Sequence, residues 1–300
     1  MSLNRDFIGK EFPEVTHTVT EKEIHEYSWA IGARNLTYYN YNGALSSNAP
    51  NGMAPPSFPV IYELPMLEEI WSMPELHGGV EEAEKNILML VHGEQSMTFH
   101  NPVRPGDSLK FKIIISDIAS KGIGELLKFK VTSKNQNGKK VVDSDWGLFM
   151  RGTGNVDKRN SGVKRSEPKI EEQRQLVFRK VIRVDDDITH RYSKASNDLN
   201  PIHTDENAAK KAGLGGVIVH GLCTMSMTMR AIIECYLDSD PYRLRQLSVR
   251  FSAPVYPGDI LIADGWVIEQ EQGNTKIGFE VIRKEDGVRV ISAGVANVAI

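Results

Sequence analysis

Asp198, His203 and Gly221 bring a carboxylate, an imidazole and a candidate backbone donor within 24 residues. The first two lie five residues apart in the run Asp-Leu-Asn-Pro-Ile-His, and Gly221 follows a Val-His pair. Pro201 fixes its own φ and biases the preceding residue away from helix, so we predict a loop that can turn both side chains toward one point. A carboxylate and an imidazole around one water can remove a proton from it and deliver one to a neighbouring carbon. That is the chemistry of hydrating an activated double bond.

Gly221 is predicted to begin a helix over residues 221–236. This segment is apolar on nearly every face, which is typical of a helix wrapped by a sheet rather than lying on one. The first N–H groups of a helix have no partner inside it. The Gly221 N–H and the helix dipole would therefore act together to stabilise an anionic oxygen placed there.

The same residues also have a purely structural interpretation. Asp198 and Asn200 are residue types that form Asx turns and helix caps, here for a helix that begins near Asp205, with His203 packed beside it. His220 can be a hydrogen-bonded core residue, or it can orient the helix start and contact a substrate. Both interpretations remain open at this point, and we assign Asn200 and His220 as candidate substrate-binding residues.

Composition excludes several classes of function. The chain has 300 residues, of which 40% are hydrophobic and 25% charged, as in ordinary globular proteins. Its net charge is -3 and the two signs are mixed along the sequence, so no nucleic-acid or anionic-membrane partner is predicted. The N-terminus lacks an apolar signal region and no eighteen apolar residues run together, which predicts a cytoplasmic protein without a membrane span.

The spacing of cysteine and histidine predicts no metal site. Cys223 and Cys235 lie in one apolar stretch, at a spacing that suits neither a zinc site nor a disulfide framework, so we expect reduced core thiols. The histidines other than His203, including His220, are predicted to be isolated from further metal-ligating residues. The acid–base chemistry of the opening segment requires no organic cofactor and no metal.

The chain repeats itself at about half its length. Residues 25–28 (His-Glu-Tyr-Ser) align with residues 190–193 (His-Arg-Tyr-Ser) at an offset of 165. Residues 99–107 align with residues 251–259 at an offset of 152, since both segments carry Phe, then Pro-Val, then Pro-Gly-Asp at matching positions. The first half therefore has 13 extra residues between these two anchors.

Turn chemistry supplies a third anchor of the repeat. Asn137-Gly138 and Asp286-Gly287 each separate runs with strand character, and both dipeptides favour two-residue hairpins with positive φ. In the second half we predict strands near 244–253, 259–269, 275–284 and 288–299. Each half also opens with a short helix, near Thr20 and near Asp185.

These elements predict an α+β fold with two copies of one layout. In each copy a long helix is wrapped by a curled antiparallel sheet, which is the hotdog arrangement, so the whole chain is expected to be a double hotdog. The predicted domains are residues 1–150 and 175–300. Residues 151–174 are rich in glycine and charge and poor in apolar residues, and we interpret them as the linker.

The repeat also bears on the function of the opening segment. At an offset of 165, the positions of the acid, the imidazole and the donor correspond to Ala33, Tyr38 and Pro56. The first copy thus lacks the carboxylate and the imidazole, and proline has no N–H to donate. If the acid, the imidazole and the donor had only a structural role, an equivalent copy of the fold would be less expected to lack all three. The comparison favours one active site per chain, in the second half.

Three segments of the second half resemble a known family. Tyr192, residues 197–203 (Asn-Asp-Leu-Asn-Pro-Ile-His) and residues 219–221 (Val-His-Gly) are similar to the MaoC-like (R)-specific enoyl-CoA hydratases, also called hydratase 2. The family's usual glycine before the aspartate is Asn197 here, and asparagine tolerates left-handed geometry better than most residues. The first half resembles the N-terminal domain of two-domain members through residues 31–36 and 54–59, so the resemblance covers nearly the whole chain.

The resemblance implies roles for both halves. It implies that Asp198 and His203 activate a water, that the Gly221 N–H holds the thioester oxygen, and that the degenerate first half helps to house the acyl chain. The expected reaction is hydration of a trans-2-enoyl thioester, carried by CoA or acyl carrier protein, to the (3R)-3-hydroxyacyl thioester, or the reverse dehydration. A homo-oligomer such as a dimer is compatible with this fold, although two hotdogs in one chain already match the smallest homodimeric unit.

Two other functions fit the same fold. The first is hydrolysis of an acyl thioester, which would release a free thiol, and the Asp-x-Asn-Pro-x-His spacing argues against it. The second is a non-catalytic subunit that binds an acyl thioester. The complete set of acid, imidazole and donor argues against this alternative, since a half that has lost its function should look like the first one.

Overall fold

The computed structural model describes residues 2–33, 52–87, 89–122, 124–151 and 174–300. The predicted linker lies almost wholly outside these residues, as does Tyr38. Within them each half carries five strands and a set of helices. The helices are α1 (Glu21–Ala30), α2 (Val60–Trp71), α3 (Pro74–His77), α4 (Val80–Ile87), α5 (Ile188–Ser196), α6 (Glu206–Lys211) and α7 (Gly221–Tyr236). The strands are β1 (Val15–Thr18), β2 (Leu90–Phe99), β3 (Ser108–Lys121), β4 (Gly124–Lys134), β5 (Lys140–Met150), β6 (Leu176–Arg183), β7 (Leu244–Phe251), β8 (Ile260–Glu271), β9 (Asn274–Arg283) and β10 (Arg289–Ala299).

The ten strands form one antiparallel sheet whose order is the same read from either edge. The order is β1-β3-β4-β5-β2-β7-β10-β9-β8-β6, so each strand of the first half has its counterpart five strands later in the chain. At the centre β2 pairs with β7, and Ser96 lies opposite Ser248. These two serines are 152 residues apart, the same offset that aligns the Pro-Gly-Asp segments. The repeat read from the sequence is therefore a local twofold axis that passes between β2 and β7, and the predicted double hotdog is confirmed.

Helix α7 is the buried helix of the second half and spans the predicted residues. Eleven of its residues are buried, among them Met225, Met227 and Ile232, and the helix lies against β6 and β7. Residues 221–229 carry only apolar side chains and short hydroxyls, so this part of the helix is stable only where strands enclose it. One sequence expectation here is wrong: Cys223 is buried, but Cys235 is exposed because it falls on the last turn, where the helix leaves the sheet.

Both predicted hairpins are present, but neither has the predicted two-residue loop. Gly138 has φ +73° and Gly287 has φ +69°, whereas the asparagine and the aspartate before them are not in the left-handed region. The Gly138 N–H donates to the Asn135 carbonyl at 2.8 Å, and the Gly287 N–H donates to the Arg283 carbonyl at 2.9 Å. The longer loops need left-handed geometry only at their last residue, which explains why a single glycine suffices in each.

The short helices lie near their predicted starts. Thr20 caps α1 with a reciprocal capping box, since its side chain accepts from the Glu23 N–H and the Glu23 carboxylate accepts from the Thr20 N–H. Helix α5 begins at Ile188, three residues beyond the predicted start. The sequence prediction missed β1 and β6, the edge strands that precede these helices. Among the described residues, no helix is long and apolar enough to cross a membrane.

Buried contacts join the helices of the two halves. The Tyr27 ring of α1 lies 5.9 Å from the Tyr192 ring of α5. The Tyr27 hydroxyl lies 3.0 Å from the Ser226 hydroxyl of α7 and donates to the Ser57 carbonyl at 3.2 Å. Tyr27 and Tyr192 are the tyrosines of the repeated His-x-Tyr-Ser segments, so the repeat brings them together across the interface.

Candidate active site

The loop between α5 and α6 holds the predicted acid and imidazole. Helix α5 ends at Asn197, whose φ of 62° places it in the left-handed region. Asn200 caps the short 3-10 helix Pro201–His203, because its side-chain oxygen accepts from the Ile202 N–H at 3.2 Å. An Asp198 carboxylate oxygen accepts from the Asn200 N–H at 3.3 Å. The loop thus contains the Asx turn of the structural interpretation, but the cap of α6 is Asp205 rather than Asp198 or Asn200. The same turns bring Asp198 and His203 to one side.

The backbone of Asp198 is fixed from both sides. Its N–H donates to the Ser196 hydroxyl at 3.3 Å, and its carbonyl accepts from the Ser193 hydroxyl. The carbonyl also lies 3.3 Å from Nε2 of His220, which donates to it. Hydrogen bonds from α5 and from the start of α7 therefore leave the Asp198 backbone little freedom to move.

His203 presents one ring nitrogen for chemistry. Its Nδ1 lies 2.8 Å from the carbonyl oxygen of Ile218, which can only accept, so Nδ1 carries the proton and Nε2 carries a lone pair. The side chain is buried. A carboxylate oxygen of Asp198 and ring nitrogens of His203 and His220 lie within 4.8 Å of one another. The structure therefore brings together the acid and the imidazole that the sequence singled out.

Burial moves the pKa values of the pair toward each other. The pKa of Asp198 is raised, because burial disfavours the carboxylate more than the nearby His203 favours it. The pKa of His203 is lowered, because burial disfavours the imidazolium more than the charge of Asp198 favours it. An acid with a raised pKa and a base with a lowered pKa differ less in proton affinity. A proton can therefore pass between either group and a bound water at small energetic cost.

His220 is part of the cluster, and the expectation that it is isolated is wrong. Its ring stacks on that of His203 with centroids 3.7 Å apart and an angle of 26°, and it lies 4.9 Å from the Tyr192 ring. The side chain is fully buried, and burial, followed by the proximity of His203, lowers its pKa well below the ordinary value. His220 is therefore neutral at neutral pH. Whether it contacts substrate stays a prediction.

The stacked rings do not suit a metal ion, although the cluster contains three potential ligands. The lone pair of an imidazole lies in the plane of its ring. A metal ion binds imidazole nitrogens at about 2.0–2.1 Å and needs their lone pairs to converge on one point. Two nearly parallel rings 3.7 Å apart direct their lone pairs side by side instead. This geometry favours water rather than a metal between Asp198 and His203.

Gly221 is the first residue of α7, as the sequence predicted. Its N–H has no acceptor among the described residues, and His220 makes no side-chain cap to the helix. A Cβ at this position would lie 3.4 Å from three atoms of the Phe251 ring, so the start of the helix packs directly against that ring. The donor lies next to His220 in the chain and hence beside the acid–imidazole pair.

The equivalent place in the first half is an apolar cleft. Its lining includes Pro55, Pro56 and Phe99, which correspond to His220, Gly221 and Phe251 at the two offsets of the repeat. Ala33, the counterpart of the acid, is buried. The first half therefore has neither the acid nor the N–H donor at the equivalent positions.

The sequence did not predict two interactions of the Asp198 loop with the first half. The Asn197 side chain reaches the carbonyl of Ile61 in α2, and Glu68 of the same helix lies close enough for the charge of Asp198 to raise its pKa. Residues this far apart carry no local signal of contact. The one local signal is Pro65 inside α2, because proline leaves a carbonyl without its partner.

The comparisons with known proteins cover both halves. A family model described as "MaoC like domain" matches residues 168–289, and one described as "FAS1-like, dehydratase domain region" matches residues 6–144. The chain is 28% identical over 293 residues to a probable enoyl-CoA hydratase 2 of Dictyostelium discoideum, covering 96% of this chain and 94% of that protein. It is also 28% identical to the peroxisomal multifunctional enzyme type 2 of Mus musculus, of which it spans 37%.

A solved structure has the same overall arrangement. The crystal structure of a MaoC-like dehydratase from Phytophthora capsici superposes with a TM-score of 0.76 at 26% sequence identity. The match covers 99% of each chain. The similarity thus includes both halves and their relative placement.

Proposed function

Since the chain belongs to the MaoC-like dehydratases, we propose that it adds water reversibly to a trans-2-enoyl thioester. The product is the (3R)-3-hydroxyacyl thioester, and the reverse reaction removes water. The observation that carries this proposal is the partly buried Asp198 next to the buried His203, beside the free Gly221 N–H, in the one half that keeps all three. The enzyme is accordingly a hydro-lyase.

In the hydration direction Asp198 is the base. A water held between the Asp198 carboxylate and Nε2 of His203 loses a proton to the pair as its oxygen bonds to C3 of the substrate. The electron pair of the C2–C3 double bond moves toward the thioester carbonyl and forms an enolate. A proton from the pair then reaches C2, so the two side chains end in their starting state and the two hydrogens of water are divided between oxygen and carbon.

Gly221 stabilises the charge that this step creates. The enolate oxygen is anionic in the intermediate and only partly negative in the substrate, so a donor aimed at it lowers the barrier more than it strengthens binding. The Gly221 N–H and the N-terminal end of α7 supply that donor and the favourable helix dipole. Asn200 and His220 are proposed to shape the site around the substrate.

The carrier and the domain roles are part of the same proposal. The names of the Dictyostelium relative and of a relative from Arabidopsis thaliana both state an enoyl-CoA hydratase, which supports a CoA thioester over one on acyl carrier protein. We propose that residues 175–300 form the catalytic domain and that residues 1–150 form a degenerate copy that helps to house the acyl chain. The apolar cleft lined by Pro56 and Phe99 supports this role for the first copy.

Loss of the enoyl absorbance on addition of crotonyl-CoA or a longer enoyl-CoA tests the reaction. Asp198→Asn and His203→Gln are each expected to reduce turnover by about 10²-fold or more, the usual contribution of acid–base groups, with unchanged circular dichroism. Asp286→Asn and His190→Gln are the matched controls, since Asp286 is exposed in the loop between β9 and β10 and His190 is exposed on α5. Near-wild-type rates in both site variants would refute the assignment.

The same assay separates the alternatives. Release of free thiol without a prior change in the enoyl absorbance would identify a thioester hydrolase. Binding of an enoyl-CoA without turnover would identify a non-catalytic subunit. Chiral analysis of the 3-hydroxyacyl product tests the (3R) configuration.

A further inference from the structure

Helix α2 of the first half contains a proline that frees one backbone carbonyl. In an α-helix the carbonyl of Ile61 would accept from the N–H of residue 65. That residue is Pro65, which has no N–H and whose ring crowds the carbonyl four residues earlier. The Ile61 carbonyl therefore lacks its usual partner inside the helix and is free to accept from a neighbouring element.

Asn197 of the second half uses that carbonyl. Its Nδ2 donates to the Ile61 oxygen at 3.3 Å across the boundary between the halves. Asn197 is also the residue that ends α5 in the left-handed region, directly before Asp198. Glycine satisfies left-handed geometry more readily than any other residue. The asparagine therefore provides something that glycine does not, namely a donor aimed at α2.

Other contacts place α2 along the catalytic loop. Glu68 lies on α2 two turns beyond Ile61, and its pKa is raised to about 7, first by burial and then by the charge of Asp198. Helix α2 also packs against α5, the helix that leads into the Asp198 loop. The hydrogen bond from Asn197 therefore joins two elements that are already in contact.

We propose that Asn197 is a positioning residue that ties the Asp198 loop to the Ile61 carbonyl released by Pro65. The inference rests on the proposed role of Asp198 as the base. The bond joins the catalytic loop of one half to a helix of the other, so the first half contributes to the geometry of the reaction even though it lacks catalytic groups. Pro65 belongs to this device because it creates the acceptor.

Two single variants break the link from opposite ends. Asn197→Gly keeps the left-handed backbone and removes the donor. Pro65→Ala restores the N–H inside α2, which draws the Ile61 carbonyl back to the helix axis, and it leaves no cavity because Pro65 is exposed. Each is expected to lower kcat by about tenfold with little change in KM, since a misplacement of about 1 Å can cost up to 10²-fold in rate. Glu69→Ala, at an exposed position of the same helix, is the matched control and should keep the wild-type kcat.

Stability separates positioning from a general structural defect. Alanine is strongly favoured over proline inside a helix, so Pro65→Ala should melt at or above the temperature of the wild type while turning over more slowly. The double variant should have a kcat no lower than the slower single variant, because both changes remove one interaction. A wild-type kcat in either single variant, or losses that multiply in the double variant, would overturn the proposal.

The link can also be measured without any substrate. In urea unfolding, Asn197→Gly should destabilise the wild type more than it destabilises the Pro65→Ala background, where its acceptor is already lost. Equal losses in the two backgrounds would show that the hydrogen bond does not form, whatever the reaction is. Full activity in Asp198→Asn would instead refute the proposed function and leave the result of this unfolding cycle intact.

Discussion

Glu63 offers a test of how much a buried acid limits the pH range of this fold. The side chain lies on α2, is fully buried and accepts from the Ser144 hydroxyl at 2.9 Å and from Nε1 of Trp146 at 2.8 Å. Burial raises its pKa from the ordinary 4.5 to about 8, against the opposing effect of these two donors. Because the group has a folded-state pKa above its unfolded one, the stability it contributes is complete below pH 4.5 and is lost as the pH rises through 8.

The magnitude follows from the size of the shift. A Glu63 pKa of 4.5 in the unfolded chain and about 8 in the folded protein means that the free energy of unfolding falls by about 5 kcal/mol from low to high pH, at 1.36 kcal/mol per pKa unit. At pH 7 about 3 kcal/mol of this has been lost. Glutamine matches the protonated acid, since its amide can donate to Ser144 while its oxygen accepts from Trp146. Glu63→Gln should therefore match the wild type in stability near pH 4 and exceed it by about 3 kcal/mol at pH 7.

Urea unfolding from pH 4 to pH 9 measures this difference directly. The gap between Glu63→Gln and the wild type should widen by about 1.4 kcal/mol per pH unit between pH 5 and pH 8. Glu69→Gln, at an exposed position of the same helix, serves as the control and should follow the wild type at every pH. A gap that stays constant with pH would show that Glu63 is not protonated in the folded protein and would refute the reasoning.

Two further predictions concern the second half. Gly221→Pro should fold, because proline is accepted at the first helical position and His220, with ψ 134°, already has the conformation that precedes proline. Because this variant has no N–H at position 221, its kcat should fall by about 10²–10³-fold. Gly221→Ala keeps the N–H and places its Cβ 3.4 Å from Phe251, so a similar loss in that variant would point to sterics instead. Dialysis against a chelator should leave the hydratase rate unchanged, since the lone pairs of the stacked His203 and His220 rings do not converge on one ion. Activity that is lost on dialysis and restored by Zn²⁺ would contradict this.

The sequence predicted the fold because the fold is a repeat of local patterns. Alternating strands, the apolar segment at 221–236 and glycine turns are set by residues close together in the chain, so each could be located to within a few residues. The short edge strands β1 and β6 were missed because they lie before the first helix of each half, outside the run of four strands that the pattern covers. The hairpin loops were assigned too short because a dipeptide that favours one turn type also fits a longer loop.

The sequence also determined the members of the candidate site. Aligning the two halves was enough to show that the first half lacks equivalents of Asp198, His203 and Gly221. This works because two copies of one fold place corresponding residues in corresponding positions. The roles of these residues stay predictions until the variants are measured. Their types and order were nevertheless legible in the chain.

Only the tertiary structure decided how the site is enclosed. It placed His220 against His203, Asn197 against Ile61 and the Glu63 carboxyl between Ser144 and Trp146. Each contact joins segments whose distance depends on how helices and strands pack, and packing is fixed by the whole core rather than by neighbouring residues. The pKa shifts follow from burial, which is also a property of the assembled fold. The sequence therefore specified which groups are present, and the tertiary structure set the distances and the desolvation that give them their chemistry.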